Sequence, residues 1–428
     1  MEIYILIISF VVFLMLRVPI AYSIGLSALI TLCFSIPSLA TFTVVAQRMA
    51  TGLDSFSLIA IPFFIFAGEL MNKGGIAKRL IDFAKSLVGS FPGGLAYVNI
   101  VACMLFGAVS GSAVAAASAI GGVMGKRMKK EGYDEAYSAA VNITSSTTGL
   151  LIPPSNVLIV YSLASGGTSI AALFIAGYVP GFLIGFLLML VAGIYAYKKK
   201  YPIGLKAKWY EIFKYFLRAL PSLFLLVVVV GGIVAGIFTA TEASAIAVLY
   251  ALILSLIYKE ITINELPEII LKSAGTTAIV MLLVAASMSM SWTMSYENLP
   301  QAVTELLMNV SDNKFVVLLV INLILLGVGI FMDITPAVLI FTPIFLPIVT
   351  ALGIDPVHFG IIMILNLSIG LCTPPVGSVL FVGCSVANLS ISKVVKPLMP
   401  LFLVMIFGLL LITYIPEITM LLPKWFGF

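Results

Sequence analysis

The chain has 428 residues, is 61% hydrophobic and only 10% charged, with a net charge of +5 and a mean hydropathy of +1.19. This excludes a soluble domain, and the long unbroken apolar runs exclude a β-barrel, leaving a polytopic α-helical membrane protein. The basic residues cluster in loops between apolar runs, so the charge concerns topology and not nucleic acid, and four scattered cysteines (Cys33, Cys103, Cys372, Cys384) without CxxC spacing read as packing residues.

The N-terminus is apolar from Ile3 and has neither a basic n-region nor a small-residue cleavage site, so it reads as the first membrane helix and not a signal peptide. Apolar stretches at 3–16, 20–36 and 55–71 give three spanning helices, with 37–54 read as a loop. Glu69 closes the third helix, placed to pair with a nearby lysine. Residues 76–88 set Ile76, Leu80, Ile81, Phe83, Ala84 and Leu87 against Lys78, Arg79 and Lys85, the pattern of an amphipathic helix on the membrane surface. The 72–90 loop and the cluster Lys126-Arg127-Met128-Lys129-Lys130 are both basic and hence both cytoplasmic, yet about 35 largely apolar residues separate them. One helix cannot return to its own side, so 91–125 is expected to be a re-entrant hairpin with Gly107–Ala113 at its tip. Asp134 then caps a helix over about 136–165. That helix is interrupted at Ser145-Ser146-Thr147-Thr148-Gly149-Leu150-Leu151-Ile152-Pro153-Pro154-Ser155-Asn156. Proline lacks an N–H and its ring clashes with the carbonyl four residues back, so the pair breaks the helix and frees the carbonyls of Gly149 and Leu150.

The same plan recurs 221 residues later. The stretches 3–16, 20–36 and 55–71 fall on 224–237, 241–257 and 276–292, and Gly132-Tyr133-Asp134 falls on Gly353-Ile354-Asp355. Pro153-Pro154 falls on Pro374-Pro375 in Asn366-Leu367-Ser368-Ile369-Gly370-Leu371-Cys372-Thr373-Pro374-Pro375-Val376-Gly377, freeing the carbonyls of Gly370 and Leu371. The chain is therefore two repeats, 1–197 and 219–428, joined by a polar cytoplasmic linker at 198–218. Equivalent loops differ in charge. The counterpart of the 72–90 loop carries Glu297 and Glu305 and no basic residue, whereas 258–275 has Lys259 and Lys272 against only Arg48 in 37–54. Basic loops mark the cytoplasm, so the second repeat is inverted, with a hairpin at about 314–349 entering from outside and a broken helix at about 356–386. With the N-terminus outside, all but three (Arg48, Lys314, Lys424) of the 23 Lys and Arg residues lie on the cytoplasmic side.

In each half a hairpin tip precedes a broken helix, so the two can meet near the midplane. The first pairing sets Ser110, Gly111 and Ser112 against Ser145, Ser146, Thr147, Thr148 and Gly149. The second sets Gly329, Asp333 and Thr335 against Asn366, Ser368, Gly370 and Thr373. Hydroxyl, amide, carboxylate and freed carbonyl oxygens suit a hard cation, and so few formal charges favour Na⁺ over Ca²⁺. Half-helix N-termini after the breaks, near Asn156 and Gly377, present N–H groups to an anion. Ser and Thr also glue membrane helices and Gly permits close packing, but recurrence beside Pro-Pro in both halves favours sites. Ser112, Asn156, Asp333 and Gly377 are the candidate substrate residues. Asp333 lies inside an apolar hairpin, where a charge is costly; its alternative role is to cap the arm ahead of Thr335-Pro336. Asp355 and Glu242 read as helix starts, His358 as a residue near an outer loop, and Trp209 and Trp425 as interfacial anchors.

On the segments Phe106–Ser112, Ser145–Asn156, Gly327–Pro336 and Gly370–Gly377 the chain resembles the large membrane subunit of tripartite ATP-independent periplasmic (TRAP) transporters, over essentially its full length. The resemblance implies an elevator-type transporter in the bacterial inner membrane that takes up organic acids with Na⁺, and two protein partners: a small four-helix membrane subunit, expected to be a separate chain, and a periplasmic substrate-binding protein. It maps sodium sites onto the first tip with Ser145–Gly149 and the second tip with Gly370–Thr373, and the hydroxyl-rich site is similar to that of sialic-acid members. A stand-alone divalent-anion/sodium symporter of similar architecture is the alternative. An intramembrane enzyme would need an activated nucleophile or metal cluster, and a channel would need a ring of pore charges; the sequence offers neither.

Overall fold

An apolar segment crosses a membrane as a helix because a helix pairs every backbone N–H and C=O within itself. The computed structural model describes residues 2–204, 207–311 and 313–428, so linker positions 205 and 206 lie outside the described residues. Among the described residues there are twenty α-helices and no strand, and eight helices are long and apolar enough to cross a membrane. The first ten are α1 (Glu2–Met15), α2 (Ile20–Ser35), α3 (Ser38–Leu53), α4 (Ala60–Lys73), α5 (Ile76–Val88), α6 (Gly94–Ser110), α7 (Ala113–Lys130), α8 (Glu135–Ser146), α9 (Asn156–Ala164) and α10 (Ile170–Lys199). The second ten are α11 (Trp209–Val234), α12 (Ala240–Ile257), α13 (Leu266–Tyr296), α14 (Leu299–Val310), α15 (Lys314–Phe331), α16 (Ile334–Ala351), α17 (Pro356–Gly370), α18 (Ser378–Ala387), α19 (Ile391–Tyr414) and α20 (Glu417–Trp425).

Moved by 221 residues, the bounds of α7 become 334–351, those of α16, and the first residue of α8 becomes 356, that of α17. The 37–54 segment is not a loop: it forms α3. Pro37 sets the start, and Thr41, Thr43 and Thr51 lower its hydropathy while donating to the carbonyls of Pro37, Leu39 and Gln47 inside the same helix. In the second half nothing corresponds to the interruption at Asp54–Ser55, so the equivalents of α3 and α4 fuse into the 31-residue α13. The linker is also shorter than 198–218, because α10 runs to Lys199 and α11 starts at Trp209. It is tied down by a bridge between Ile203 and Pro92.

The helices that carry the breaks form the core. Every residue of α17 after Pro356 is buried, as are Tyr137–Ser146 of α8. The two halves interlock: α7 packs on α18, α9 on α16, and α8 on α19. Tyr161 donates to the Pro356 carbonyl at 2.6 Å, and Cys372 Sγ to the Ile143 carbonyl at 3.4 Å. Cys103, Cys372 and Cys384 are buried and Cys33 is exposed, all four as free thiols. Around this core α4 packs on α12 and α13, stitched by ion pairs Lys272–Glu69 at 2.8 Å and Lys73–Glu268 at 3.1 Å. The apolar side of α5 is covered by α6 and α11 and not by lipid, with Leu87 left outside at 43% exposure. The expected caps are present: Asp134 Oδ1 accepts from Tyr137 N and Asp355 Oδ1 from Val357 N, both at 2.7 Å, while Thr239 and Glu242 form a capping box. His358 is buried in α17, its Nδ1 2.7 Å from Thr419 Oγ1.

Candidate ion and substrate site

The first hairpin turns in two residues. Gly111, at φ +61°, ends α6 by donating to the Gly107 carbonyl at 2.7 Å; any other residue would be strained there. Ser112 is extended and starts α7 by accepting from Ala115 N at 3.2 Å. The second hairpin turns through Met332 and Asp333. Asp333 occupies the N-cap position of α16, yet its side chain makes no capping hydrogen bond. It is exposed to a cavity instead.

Behind each tip the hairpin touches the helix break through glycine. A Cβ on Gly149 would collide with Cα of Gly107, and one on Gly370 would lie 2.5 Å from Cα of Gly329. The backbones therefore meet directly in both halves, a contact no other residue type permits. On the break itself, Ser145 donates to the Val141 carbonyl and Thr148 to the Ser145 carbonyl, both at 2.6 Å; Ser146 and Thr147 donate to Ile143 and Thr144 at 2.8 Å. Each hydroxyl proton is thus committed to the helix, which leaves oxygen lone pairs as the outward-facing groups. In the second break Ser368 and Thr373 donate to the Ile364 and Ile369 carbonyls at 2.6 and 3.0 Å. Asn366 donates to Asn322 Oδ1 at 2.8 Å, and Asn322 to Thr413 Oγ1 at 3.0 Å.

The two breaks differ in their carbonyls. Among the described residues no N–H donates to the carbonyls of Gly149 or Leu150. The Gly370 carbonyl, by contrast, accepts from Thr373 N at 2.9 Å and the Leu371 carbonyl from Leu380 N at 3.2 Å. The expected second pair of free carbonyls is therefore absent, because the chain after Gly370 turns back and α18 reaches over to supply the donors.

Both tips open onto one cavity of about 230 Å³. Ser110, Gly111 and Ser112 line it from the first half, Asp333 and Thr335 from the second, and Asn156 sits where α9 begins. Ser155, the N-cap of α9, makes no side-chain capping bond, so the first N–H groups of that helix keep their positive end for the cavity. The space for a Cβ on Gly111 lies 3.4 Å from Asn156 N and 3.5 Å from Asn156 Nδ2. Ser145, Thr148, Gly149, Gly329 and Gly370 stand behind the tips and outside the lining, as do Thr373 and Gly377; a Cβ on Gly377 would strike the Leu371 carbonyl.

The outer wall comes from α4 and α13: Gly68, Glu69, Asn72 and Thr276. A Cβ on Gly68 would sit 3.1 Å from the Ser110 carbonyl, so α4 bears directly on the first tip. Gly68, Asn72 and Thr276 were not among the residues singled out by sequence, although polar groups three and four apart at the end of an apolar helix share one face and were a usable signal. Asn322, alone in the apolar run of α15, was another.

The donor set can be tested against an ion. Among the described residues no group of three or more His, Cys, Asp or Glu side chains comes together, as a transition metal would demand. Hydroxyl and carbonyl oxygens with the Asp333 carboxylate nearby, and Glu69 paired with Lys272, fit a hard monovalent cation such as Na⁺.

The interlocked frame is that of a polytopic α-helical membrane protein. It matches the Alcanivorax borkumensis YdaH transporter with a TM-score of 0.67, covering 88% of each chain at 13% identity, a likeness of fold alone. The family model described as tripartite ATP-independent periplasmic transporter, DctM component, matches residues 7–418, and the chain belongs to that family. It is 56% identical over 419 residues to the uncharacterized protein YgiK of Salmonella typhimurium, covering 98% of this chain and 96% of that one. It is 39% identical to the C4-dicarboxylate TRAP transporter large permease DctM of Pseudomonas aeruginosa (95% and 94% covered). Against the sialic acid TRAP transporter large permease SiaM of Vibrio cholerae the figure is 40%, with 89% of each chain covered. The chain is a TRAP large permease, a multi-pass transport protein and not an enzyme.

Proposed function

We propose that this permease carries an organic anion inward across the bacterial inner membrane, coupled to Na⁺, together with a separate small four-helix subunit and a periplasmic binding protein. The supporting observation is the single cavity in which both hairpin tips, Asp333 and the open N-terminus of α9 meet. Relatives named for C4-dicarboxylates and for sialic acid both handle carboxylates, which favours a carboxylate cargo, and the hydroxyl-rich tip favours a sialic-acid-like one. Asn156 and the first N–H groups of α9 bind the carboxylate, and Ser112 orients its neighbouring oxygens. Ser110, Gly111, Ser145, Thr148 and Gly149 would hold one Na⁺, and Gly329, Asp333, Thr335, Gly370 and Thr373 another. Bound Na⁺ would supply positive charge that offsets Asp333 and the incoming anion.

The repeats are inverted, with the N-terminus periplasmic, the first hairpin cytoplasmic and the second periplasmic. The hairpins and broken helices move as a unit past α4, α12 and α13, in elevator fashion. Reconstitution tests the assignment. The chain with its small subunit and binding protein should take up a labelled carboxylate, and the chain without the binding protein should not. Uptake by the chain alone would instead make it a stand-alone symporter.

A further inference from the structure

A second hollow, of about 440 Å³, opens between α5, α11 and the end of α12, away from the central cavity. Its walls carry Lys78 and Arg79 from α5, Tyr215 and Arg218 from α11, and Tyr258 and Glu260 just beyond α12. Several of these groups are already engaged. The Arg79 guanidinium lies 3.5 Å from the centroid of the Tyr258 ring, donates to the Gly74 and Gly75 carbonyls at 3.4 and 3.1 Å, and sits 3.7 Å from Glu260. Asp82, also on the wall, is 3.4 Å from Arg127. Lys78 and Arg218 are exposed, and among the described residues neither has a carboxylate within ion-pair distance. Two cations without a carboxylate partner, Lys78 and Arg218 (the latter 6.0 Å from the centroid of the Tyr215 ring), thus border a hollow whose lining acids are both paired, which is a setting for an anion.

The surroundings identify what carries that anion. Arg218 is the last charge before the apolar stretch Ala219–Val234 of α11, a length of about 24 Å at 1.5 Å per residue, so it marks the edge of the hydrocarbon. Trp209 and Tyr210, exposed two turns earlier, are interfacial residues. The hollow therefore sits at headgroup level. Below it Leu217, Leu220 and Phe224, all exposed, follow one another along one face of α11. Phe224 meets Tyr250 of α12 at 6.4 Å between ring centroids, with Ile253 and Ile257 exposed alongside. A cationic hollow above an apolar seam matches a phosphate headgroup with acyl chains, whereas a free phosphate ion would leave the seam unused.

We propose that this hollow is a binding site for an anionic phospholipid, with the phosphate held by Lys78 and Arg218 and the acyl chains lying along the α11–α12 seam. That the leaflet is cytoplasmic rests on the orientation proposed above; the site itself does not. Such a lipid would join α5 to α11 and α12, of which α12 is one of the helices that the proposed motion of the hairpins passes.

Native mass spectrometry of the full chain, titrated with phosphatidylglycerol, with phosphatidylcholine and with inorganic phosphate, measures this. Two cations predict phosphatidylglycerol binding tighter than phosphatidylcholine by roughly 30-fold. Lys78→Gln/Arg218→Gln should abolish that preference, Arg218→Gln alone should reduce it, and Lys393→Gln/Lys396→Gln, outside the hollow, should leave it intact. Equal retention of the two lipids, or an unchanged preference in either Arg218 variant, would overturn the site. Displacement of phosphatidylglycerol by equimolar inorganic phosphate would overturn its assignment to a lipid.

Discussion

Gly149 shows how much one missing side chain can decide. Its Cα rests on that of Gly107, and a methyl group in that space has only backbone to push against. Gly149→Ala should therefore lower stability by about 1–3 kcal/mol, seen as a reduced thermal midpoint, and should separate the first tip from the break. Gly125→Ala is the matched control: nothing lies within 4 Å of its Cβ position in the middle of α7. Alanine is the better helix former there by up to about 1 kcal/mol, so its midpoint should stay level or rise. A fall of equal size in both variants would show that the glycine contact is not what matters. Asp333 is a different case, because its carboxylate lines the cavity and makes no capping hydrogen bond into the first turn of α16. Asp333→Asn should change the free energy of unfolding by no more than about 0.5 kcal/mol, as expected away from a structural role. It should cut initial uptake at least tenfold, and unchanged uptake would remove Asp333 from the site.

At the scale of elements, the hairpins and breaks were legible because they depend on local chemistry. Small residues at Gly107–Ala113 mark a turn, Pro153-Pro154 and Pro374-Pro375 cannot continue a helix, and Asp134 and Asp355 cap the helices α8 and α17. Hydropathy misread α3, whose threonine hydroxyls are satisfied within the helix and so carry no loop signal once folded. Nor could local chemistry show that Leu380 N closes the carbonyl of Leu371, since that bond depends on where α18 returns. The meeting of both tips in one cavity, and the wall that α4 adds to it, are likewise tertiary facts. That wall offers a test of motion. In a Cys33→Ser background, Gly68→Cys/Ser110→Cys places two thiols where α4 touches the tip, within disulfide reach. Oxidation should abolish the uptake that remains under reduction, and dithiothreitol should restore it. Equal uptake in the oxidised and reduced states, with the cross-link verified on gels, would contradict movement of the hairpin past α4.

For the whole molecule, interlocking halves place oxygen donors behind both tips and N–H donors at the mouth of α9, around one shared space. On the proposed reading, cation and anion sites this close together would assist one another: anion binding would be favoured when the tips hold positive charge, and the reverse would hold by linkage. The proposed inversion of the repeats rests on loop charge, and the two-sided access it would provide would let an ion gradient do work on the anion. The most direct measurement is uptake of a labelled carboxylate into proteoliposomes holding the permease, its small subunit and the binding protein, under an imposed inward Na⁺ gradient. Na⁺ coupling predicts accumulation above the outside concentration that disappears when K⁺ replaces Na⁺ at equal ionic strength. Accumulation to the same level under K⁺ would contradict it.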